Sequence, residues 1–447
     1  MSLSVLNMLG GGGGTKIANG VTRDCYAYDE AIEPNCFVEE LPEWSVEQVN
    51  SGISGISRFG GCKIDDNRIL LFQINGTSTS SYVYATIAHI SDNGKITYGT
   101  AVQLGTHFVG NARAVKINDT TCLIAGRCNS SDYSKVILVT IDGFEITLKA
   151  SVLEFNYQYS GTYSCLCLID ETHVLYAYSS ASYAYLNASV ITIDTANYTL
   201  SKGSNVQLST ETYSMETQFA SATKVSDRIF AIVHKAPTNQ YIAITTAYVS
   251  GATITKKAYT YKAQQYSAAW SYSFLMANGN LGIFSPIGTS NYYLGFRIYT
   301  IDASSGAITE VSASNIFEIK YSGSSPTSIY YDETTQNIHI FYRDNGYDAK
   351  SFKYCICSIS DNSISISSVT DSNISLDYGA SMTWIPAFLI NGSLFAIVNI
   401  NNLAHIMSYI DTPRVKLPEN SINGVSASKL TTSSVGSVYF LNSNEEA

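Results

Sequence analysis

The sequence predicts an all-β fold, a seven-bladed β-propeller of four-stranded antiparallel blades, from three observations. One type of strand ending recurs seven times at an even spacing. Four short strand-like segments separated by turns fill each repeat, and the second of them is strongly apolar. Because a propeller uses several hundred residues in one closed unit, the 447 residues are interpreted as one repetitive domain with additions at both ends.

The repeated strand ending gives the period. Each copy is an alternating run that ends in an isoleucine or valine and is followed by turn residues. These seven anchor residues are Ile90, Ile141, Ile193, Val249, Ile301, Ile359 and Ile410. Successive anchors are 51, 52, 56, 52, 58 and 51 residues apart, a period typical of propeller blades. We expect every anchor to lie at the same position in the third strand of its blade.

The second segment of each repeat indicates how the blades pack. In the first repeat it is the uninterrupted apolar run of residues 69–72, and such a run is typical of a strand that is buried on both faces. A helical solenoid would need a 3.6-residue period, which is absent, and immunoglobulin-like units would be near 100 residues long. Six or eight blades stay open if a terminal unit is atypical.

The two ends do not repeat. Residues 1–50 are interpreted as an extended, glycine-rich leader that docks on a larger assembly, residues 51–417 as the propeller, and residues 418–447 as a small C-terminal β extension. Residues 414–417 would supply the last strand of the seventh blade, while closure of the ring by the N-terminal or the C-terminal strand stays open. The candidate docking residues are Val5, Leu6, Met8, Leu9, Gly10, Gly11, Gly12, Gly13 and Gly14.

Composition argues against several classes of partner. Charged residues make up 14% of the chain, against roughly 25% in an average protein. The net charge of -10 disfavours binding to nucleic acid, which depends on clustered Lys and Arg. No apolar run is long enough to cross a bilayer, and the start lacks the features of a signal peptide. The sequence therefore predicts no membrane insertion and synthesis in a cytoplasm.

The residue types that carry catalysis are dispersed. The six histidines lie in different repeats, the nine cysteines form no metal-binding spacing, and nucleophile-elbow, phosphate-loop and dinucleotide motifs are absent. Acidic residues at the strand ends, such as Asp142, Asp194 and Asp302, are interpreted as turn formers. From these observations we predict that the chain is not an enzyme and holds no cofactor or metal. A carbohydrate-active hydrolase on the same fold stays an alternative.

Tyrosine-rich loops are the candidate recognition surface. In a propeller, the loops between second and third strands and those between blades emerge on one face, and here they are rich in Tyr, Ser, Asn and Gly. This is the composition of recognition loops, since tyrosine gives a large contact area at low entropic cost. The candidate ligand-binding residues are Tyr157, Tyr159, Tyr183, Tyr185, Tyr213, Tyr292 and Tyr347.

The C-terminal segment carries a resemblance. A turn at residues 422–425, followed about fifteen residues later by residues 438–440, resembles the C-terminal segment of fibre and baseplate-associated proteins of phages that infect Gram-positive bacteria. The resemblance implies a virion protein that is made in the bacterial cytoplasm, docks on other virion proteins through its leader, and presents the propeller to host cell-wall carbohydrate or to a virion protein. A purely structural decoration or spacer protein is the remaining alternative.

Overall fold

The computed structural model is all-β over the part of the chain that it describes. It describes residues 21–34, 36–49, 53, 56–75, 82–106, 112–127, 134–155, 164–179, 185–209, 220–235, 242–261, 271–287, 292–319, 327–343, 351–360, 362–375, 387–391, 393–400, 403–410, 414–418, 424–426 and 428–440. Every regular element in these residues is a strand. The all-β prediction is therefore confirmed.

The strands follow one plan along the chain. Three come first: β1 (Val21–Ala27), β2 (Phe37–Leu41) and β3 (Trp44–Gln48). The first two sheets use β4 (Ile56–Lys63), β5 (Arg68–Asn75), β6 (Tyr82–Ile90), β7 (Ile96–Tyr98), β8 (Val102–Thr106), β9 (Arg113–Asn118), β10 (Thr121–Arg127), β11 (Ser134–Asp142) and β12 (Glu145–Phe155). The next two use β13 (Ser164–Asp170), β14 (His173–Ser179), β15 (Leu186–Asp194), β16 (Thr199–Lys202), β17 (Val206–Gln207), β18 (Ser221–Lys224), β19 (Ile229–Lys235), β20 (Ile242–Ser250) and β21 (Thr253–Tyr261).

The remaining strands complete three further sheets and a C-terminal segment. The fifth and sixth sheets use β22 (Tyr272–Leu275), β23 (Leu281–Ile287), β24 (Tyr292–Ile301), β25 (Ile308–Ile319), β26 (Thr327–Tyr331), β27 (Asn337–Arg343), β28 (Ser351–Ser360) and β29 (Ser363–Ser375). The last strands are β30 (Ala387–Ile390), β31 (Ser393–Ile400), β32 (Leu403–Tyr409), β33 (Arg414–Lys416), β34 (Gly424–Ser426) and β35 (Gly436–Phe440). Each of the seven sheets outside the C-terminal segment is antiparallel, and β8 and β17 add a fifth strand to the first and third of them.

The second strand of each sheet packs on both faces, which explains its continuous apolar character. In β5, Leu70 and Phe72 pack against Ile124 of the second sheet, while Ile69 and Leu71 pack against the seventh sheet. Successive side chains of a strand point to opposite faces, so a strand between two neighbouring sheets carries apolar side chains on both faces. Similar clusters join each of the other neighbouring pairs.

The N-terminal strand closes the ring. Strand β3 pairs with β32 as the outermost strand of the seventh sheet, and Phe388 and Phe395 of that sheet pack against Phe59 and Ile69 of the first. The prediction that residues 414–417 form the last strand of the seventh blade is wrong, because β3 occupies that place. Chain segments from both ends therefore complete the same sheet, and the sheets of the described residues form a closed ring.

Strands from both ends also form a separate small barrel. Its strand order is β1-β33-β2-β34-β35, and its core includes Cys25, Val38, Val415, Leu430 and Val438. Strand β33 is the segment that the sequence assigned to the seventh blade. The predicted extended leader of residues 1–50 thus contains, in its described part, two barrel strands and the closing strand of the ring. Residues 418–447 contribute β34 and β35 to the barrel.

The anchor residues take equivalent positions, as the period predicts. Six of the seven lie at or near the end of the third strand of their sheets, and Ile410 directly follows β32. The backbone N–H groups of Ile90, Ile141 and Ile193 donate to the carbonyl of the residue before the second strand of the same sheet, at 2.7–2.8 Å. All three side chains are buried. The repeat alignment is therefore confirmed at the level of hydrogen bonding.

A buried asparagine joins the barrel to the ring. Asn93 lies in the turn between β6 and β7, and its Nδ2 donates to the carbonyls of Ala27, at 2.9 Å, and Tyr28, at 2.7 Å. Gly94 follows with a φ of 76°, and a Cβ there would collide with Ile410. Around this contact, Lys95 and Arg414 both approach the Tyr28 ring. The barrel thus sits on one face of the ring, at the turns between third and fourth strands.

Candidate functional site

The two faces of the ring differ in their connections. We call the loop face the side on which the second strand of each sheet ends and the third begins, as at Asn75 and Tyr82, which are paired neighbours. We call the turn face the opposite side, which carries the short turns such as residues 91–94 and the barrel. The predicted recognition surface belongs to the loop face.

Two of the predicted ligand-binding tyrosines fall in the described residues. Tyr185 immediately precedes β15, and Tyr292 is the first residue of β24, so both start third strands at the loop face. They belong to the third and fifth sheets, with the fourth sheet between them. The other candidates, Tyr157, Tyr159, Tyr183, Tyr213 and Tyr347, lie outside the described residues, as do the candidate docking residues from Val5 to Gly14.

A chain of hydrogen bonds supports the loop-face end of the third sheet. The hydroxyl of buried Tyr178 donates to Asn205 Oδ1 at 2.9 Å, and Asn205 Nδ2 donates to Asn187 Oδ1 at 3.2 Å. Asn187 Nδ2 in turn donates to the carbonyl of Tyr185 at 3.0 Å. Buried polar groups need such partners. The chain fixes the backbone of Tyr185 at the rim of the face.

The fourth sheet presents an exposed tyrosine that was not among the candidates. The ring centroids of Tyr259 and Tyr261 are 6.0 Å apart, and Tyr261 is 51% exposed. Behind them, the ring of buried His234 lies 6.3 Å from that of Tyr259, and Thr245 Oγ1 is 3.0 Å from its Nε2. Both tyrosines belong to the outermost strand of this sheet, β21. The alternation of Tyr259 and Tyr261 around Thr260 was the signal that β21 continues to the loop face.

The aspartates at the strand ends form turns, as predicted for Asp194 and Asp302. Asp302 Oδ1 accepts hydrogen bonds from the N–H and hydroxyl groups of Ser304 and Ser305 at 2.6–3.0 Å. The hydrogen bonds from Ser304 and Ser305 hold the pKa of Asp302 well below its usual range. Asp194 accepts from the N–H groups of Ala196 and Asn197, both at 3.0 Å. These ionised carboxylates accept hydrogen bonds within their turns. Their presence at the strand ends is therefore explained by turn formation and does not require a catalytic role.

The cysteines of the described residues are reduced. Burial is the main cause that raises the pKa of Cys165 and of Cys167 to about 12. Near neutral pH both are therefore protonated and weakly nucleophilic. In the described part of the chain, no three His, Cys, Asp or Glu side chains are grouped so that they could hold a metal ion. Over the same residues there is no helix of the length and hydropathy that crossing a bilayer requires.

Comparison with known proteins gives likeness at the level of the fold. No protein-family model and no curated protein matches the chain. The β-propeller domain of Nup133 from Vanderwaltozyma polyspora has a TM-score of 0.50 at 11% identity, over 83% of this chain and 100% of that one. A putative 6-phosphogluconolactonase from Bacteroides fragilis has a TM-score of 0.49 at 11% identity, over 82% and 98%. The NanB sialidase from Streptococcus pneumoniae has a TM-score of 0.43 at 10% identity, over 72% and 69%. The ring of sheets and the first of these likenesses define the chain as a β-propeller protein.

The comparisons correct one prediction. The dispersed histidines and cysteines and the absence of catalytic motifs led to the prediction that the chain is not an enzyme. Solved structures similar to this chain include a protein named as a putative lactonase and a sialidase, so the propeller fold hosts enzymes and the prediction does not stand. The physical reason is that a propeller collects catalytic residues from distant blades, which no local sequence motif reveals. At these identities the likeness shows the fold alone and assigns neither activity to this chain.

Proposed function

We propose that the chain is an attachment protein of a bacteriophage particle. Residues 1–20 contact other virion proteins at the barrel end, and the loop face of the propeller binds carbohydrate on the host surface. The observation that carries this proposal is the barrel, because its strand β1, which follows residues 1–20 in the chain, lies on the face opposite to the loop face. The resemblance of the C-terminal segment to phage fibre and baseplate-associated proteins gives the biological setting.

The direction of β1 supports a docking role for the residues before it. Asn93 binds the carbonyls of Ala27 and Tyr28, so the C-terminal end of β1 lies at the ring. Val21, at the other end, is six residues away and is paired with Phe440. At about 3.3 Å per residue, the start of β1 is about 20 Å along the strand from this contact. Val21, the first described residue, thus lies at the end of the barrel remote from the ring, and this position supports docking through the residues that precede it.

The chemistry of the loop face supports a carbohydrate as ligand. Its described rim carries the Tyr259 and Tyr261 pair and a second pair, Tyr82 and Tyr84, with ring centroids 6.4 Å apart. Tyrosine offers an apolar ring and a hydroxyl on one side chain, which suits the apolar and hydroxyl-bearing sides of a sugar. The low fraction of charged residues, 14%, favours a neutral polysaccharide over an acidic one.

Deleting residues 1–20 should abolish incorporation into phage particles and leave the protein folded. The described barrel begins at Val21, so the deletion removes no described strand and the thermal midpoint should change little. The measurement is the amount of protein in purified particles, assembled with the full chain or with the truncated one, beside the melting curves of both proteins. Normal incorporation of the truncated chain would contradict the docking role.

Replacing Tyr261 or Tyr185 with alanine should weaken binding to purified host cell-wall polysaccharide. Central aromatic residues of an interface typically contribute about 1–4 kcal/mol, whereas exposed positions change stability by about 0.5 kcal/mol. The control is Tyr198→Ala, since Tyr198 lies in a turn on the opposite face. Titration of polysaccharide against each variant, with a thermal melt of the same sample, separates binding from folding. Equal affinity in all three variants would remove the loop face from the proposal.

A further inference from the structure

A cavity opens on the turn face between the fifth and sixth sheets. Its volume is about 160 Å³, smaller than the roughly 300 Å³ of pockets for drug-sized ligands. The lining combines an apolar part, Met276, Tyr331 and Ile359, with three amide side chains, Asn278, Gln336 and Asn362, and includes no charged side chain among the described residues. The size suits a molecule with a single ring, and the neutral lining disfavours an ionised one.

The apolar part of the cavity is rigid. Met276 and Tyr331 are almost fully buried, and the Tyr331 ring stacks on Phe274 with the centroids 4.4 Å apart. The Tyr331 hydroxyl also accepts a hydrogen bond from the N–H of Ala277 at 3.3 Å. These contacts come from both sheets, so the tyrosine is held before any ligand arrives. A preformed apolar surface with a few polar groups beside it is the usual construction of a small-molecule site.

The amide side chains keep hydrogen-bonding capacity. Asn278 Oδ1 accepts from the N–H of Asn280 at 3.0 Å, and Asn362 Oδ1 accepts from Asn280 Nδ2 at 3.3 Å. These bonds orient the two amides and leave their Nδ2 groups, like the whole amide of Gln336, without a partner among the described residues. Donors and an acceptor together match hydroxyl groups, which both donate and accept.

Two of these amides occupy backbone positions that favour glycine. Gln336 has a φ of 57° and Asn362 a φ of 61°. In four other sheets, the turn between third and fourth strands contains a glycine with positive φ, namely Gly94, Gly143, Gly251 and Gly306. In the fifth sheet, Gly279 holds the position that corresponds to Gln336. Side chains kept at strained positions are concentrated at functional sites, and both of these line the same cavity.

We propose that this cavity is a binding site for a neutral, hydroxyl-rich molecule of one ring, a monosaccharide unit. The ring of the sugar packs against Met276, Tyr331 and Ile359, and its hydroxyl groups bond to the amides of Asn278, Gln336 and Asn362. The site lies on the opposite face from the proposed polysaccharide surface and does not depend on it.

The test titrates the full chain with neutral monosaccharides, D-glucose, D-galactose and N-acetyl-D-glucosamine, and with glucose 6-phosphate, by calorimetry or ligand-observed NMR. At least one neutral sugar should saturate a single site with a Kd of about 1 mM, and the phosphorylated sugar should bind more weakly. Gln336→Gly and Asn362→Gly should each lower the affinity about fivefold, the loss expected for one hydrogen bond, without lowering the thermal midpoint, because glycine relieves the positive φ.

The matched control is Asn391→Gly. Asn391 also has a positive φ, 48°, but it lies in the seventh sheet, and this variant should keep the affinity of the unmodified chain. The Tyr261→Ala variant should also bind the monosaccharide with unchanged affinity. The proposal for the cavity can therefore hold even if the proposal for the loop face fails. The proposal is overturned if none of the neutral sugars saturates, if glucose 6-phosphate binds as well as glucose, or if the Gln336 and Asn362 variants bind as tightly as the unmodified chain.

Discussion

Replacing Trp44 with alanine should destabilise the folded protein by about 3–5 kcal/mol, the range for large aromatic side chains removed from a core. Trp44 belongs to β3, the N-terminal strand that closes the ring. Its ring lies 5.1 Å from that of Tyr409 in the same sheet and 5.9 Å from that of Phe341 in the sixth sheet, measured between centroids. The substitution therefore loosens the closing strand and the contact between the last two sheets together.

The measurement is equilibrium unfolding in denaturant. Unfolding is monitored by circular dichroism, because this signal reports on the strands and does not require the tryptophan. Phe144→Ala is the control, since Phe144 is 41% exposed and its loss should cost less than about 1 kcal/mol. Trp44→Phe should fall between the two, because it keeps much of the ring contact. A cost for Trp44→Ala as small as that of the control would mean that β3 contributes little to closure of the ring.

The ring could be predicted from sequence because its signals are local and repeated. The run of residues 69–72 faces two neighbouring sheets, so every position is apolar, and the same requirement recurs in each blade. The anchors Ile90 and Ile141 end their strands through the same backbone hydrogen bond. One alignment of short segments thus contains most of the information about the fold.

Ring closure and the barrel could not be predicted because they depend on pairing between distant segments. Trp44 pairs with Tyr409 and Tyr26 with Arg414, and nothing in strands of five and seven residues specifies a partner so far along the chain. Residues 414–417 look like any outer strand, so they were assigned to the nearest blade. Only the strand order of the folded structure shows that β3 is the outermost strand of the seventh sheet.

The candidate sites could be predicted from the sequence only in part. The tyrosine-rich composition of the loops indicated the loop face as the recognition surface. Tyr261 could be added only from the structure, because its place on that face depends on where β21 ends. The amides at Gln336 and Asn362 have a sequence signal, because they replace the glycine found in the corresponding turns of other blades. That signal becomes informative only when the two turns are known to line one cavity, which depends on the packing of the fifth sheet against the sixth.

Replacing Asn93 with alanine should weaken the joint between barrel and ring and cost about 2–3 kcal/mol. Asn93 is 1% exposed, and besides its two bonds to the barrel its Oδ1 accepts from the Ser91 hydroxyl at 2.6 Å and from the N–H of Lys95 at 3.2 Å. Alanine removes all four bonds and leaves the carbonyl of Ala27 buried without its donor, and an unsatisfied buried group costs about 1–3 kcal/mol.

The Asn93→Ala substitution should lower the local stability of the barrel as well as the global stability of the protein. The reason is that no other sheet supplies a turn side chain of this kind to the barrel in the described residues. Hydrogen exchange should speed up in β1 before it changes in β5, where the hydrogen bonds lie inside the ring. The matched control is Asn197→Ala, since Asn197 is exposed and, like Asn93, directly precedes the residue with positive φ in the turn between third and fourth strands. Its cost should stay near 0.5 kcal/mol, roughly the value for surface positions. If both variants lose the same stability, or if β1 and β5 exchange faster together, the barrel is not held to the ring through Asn93.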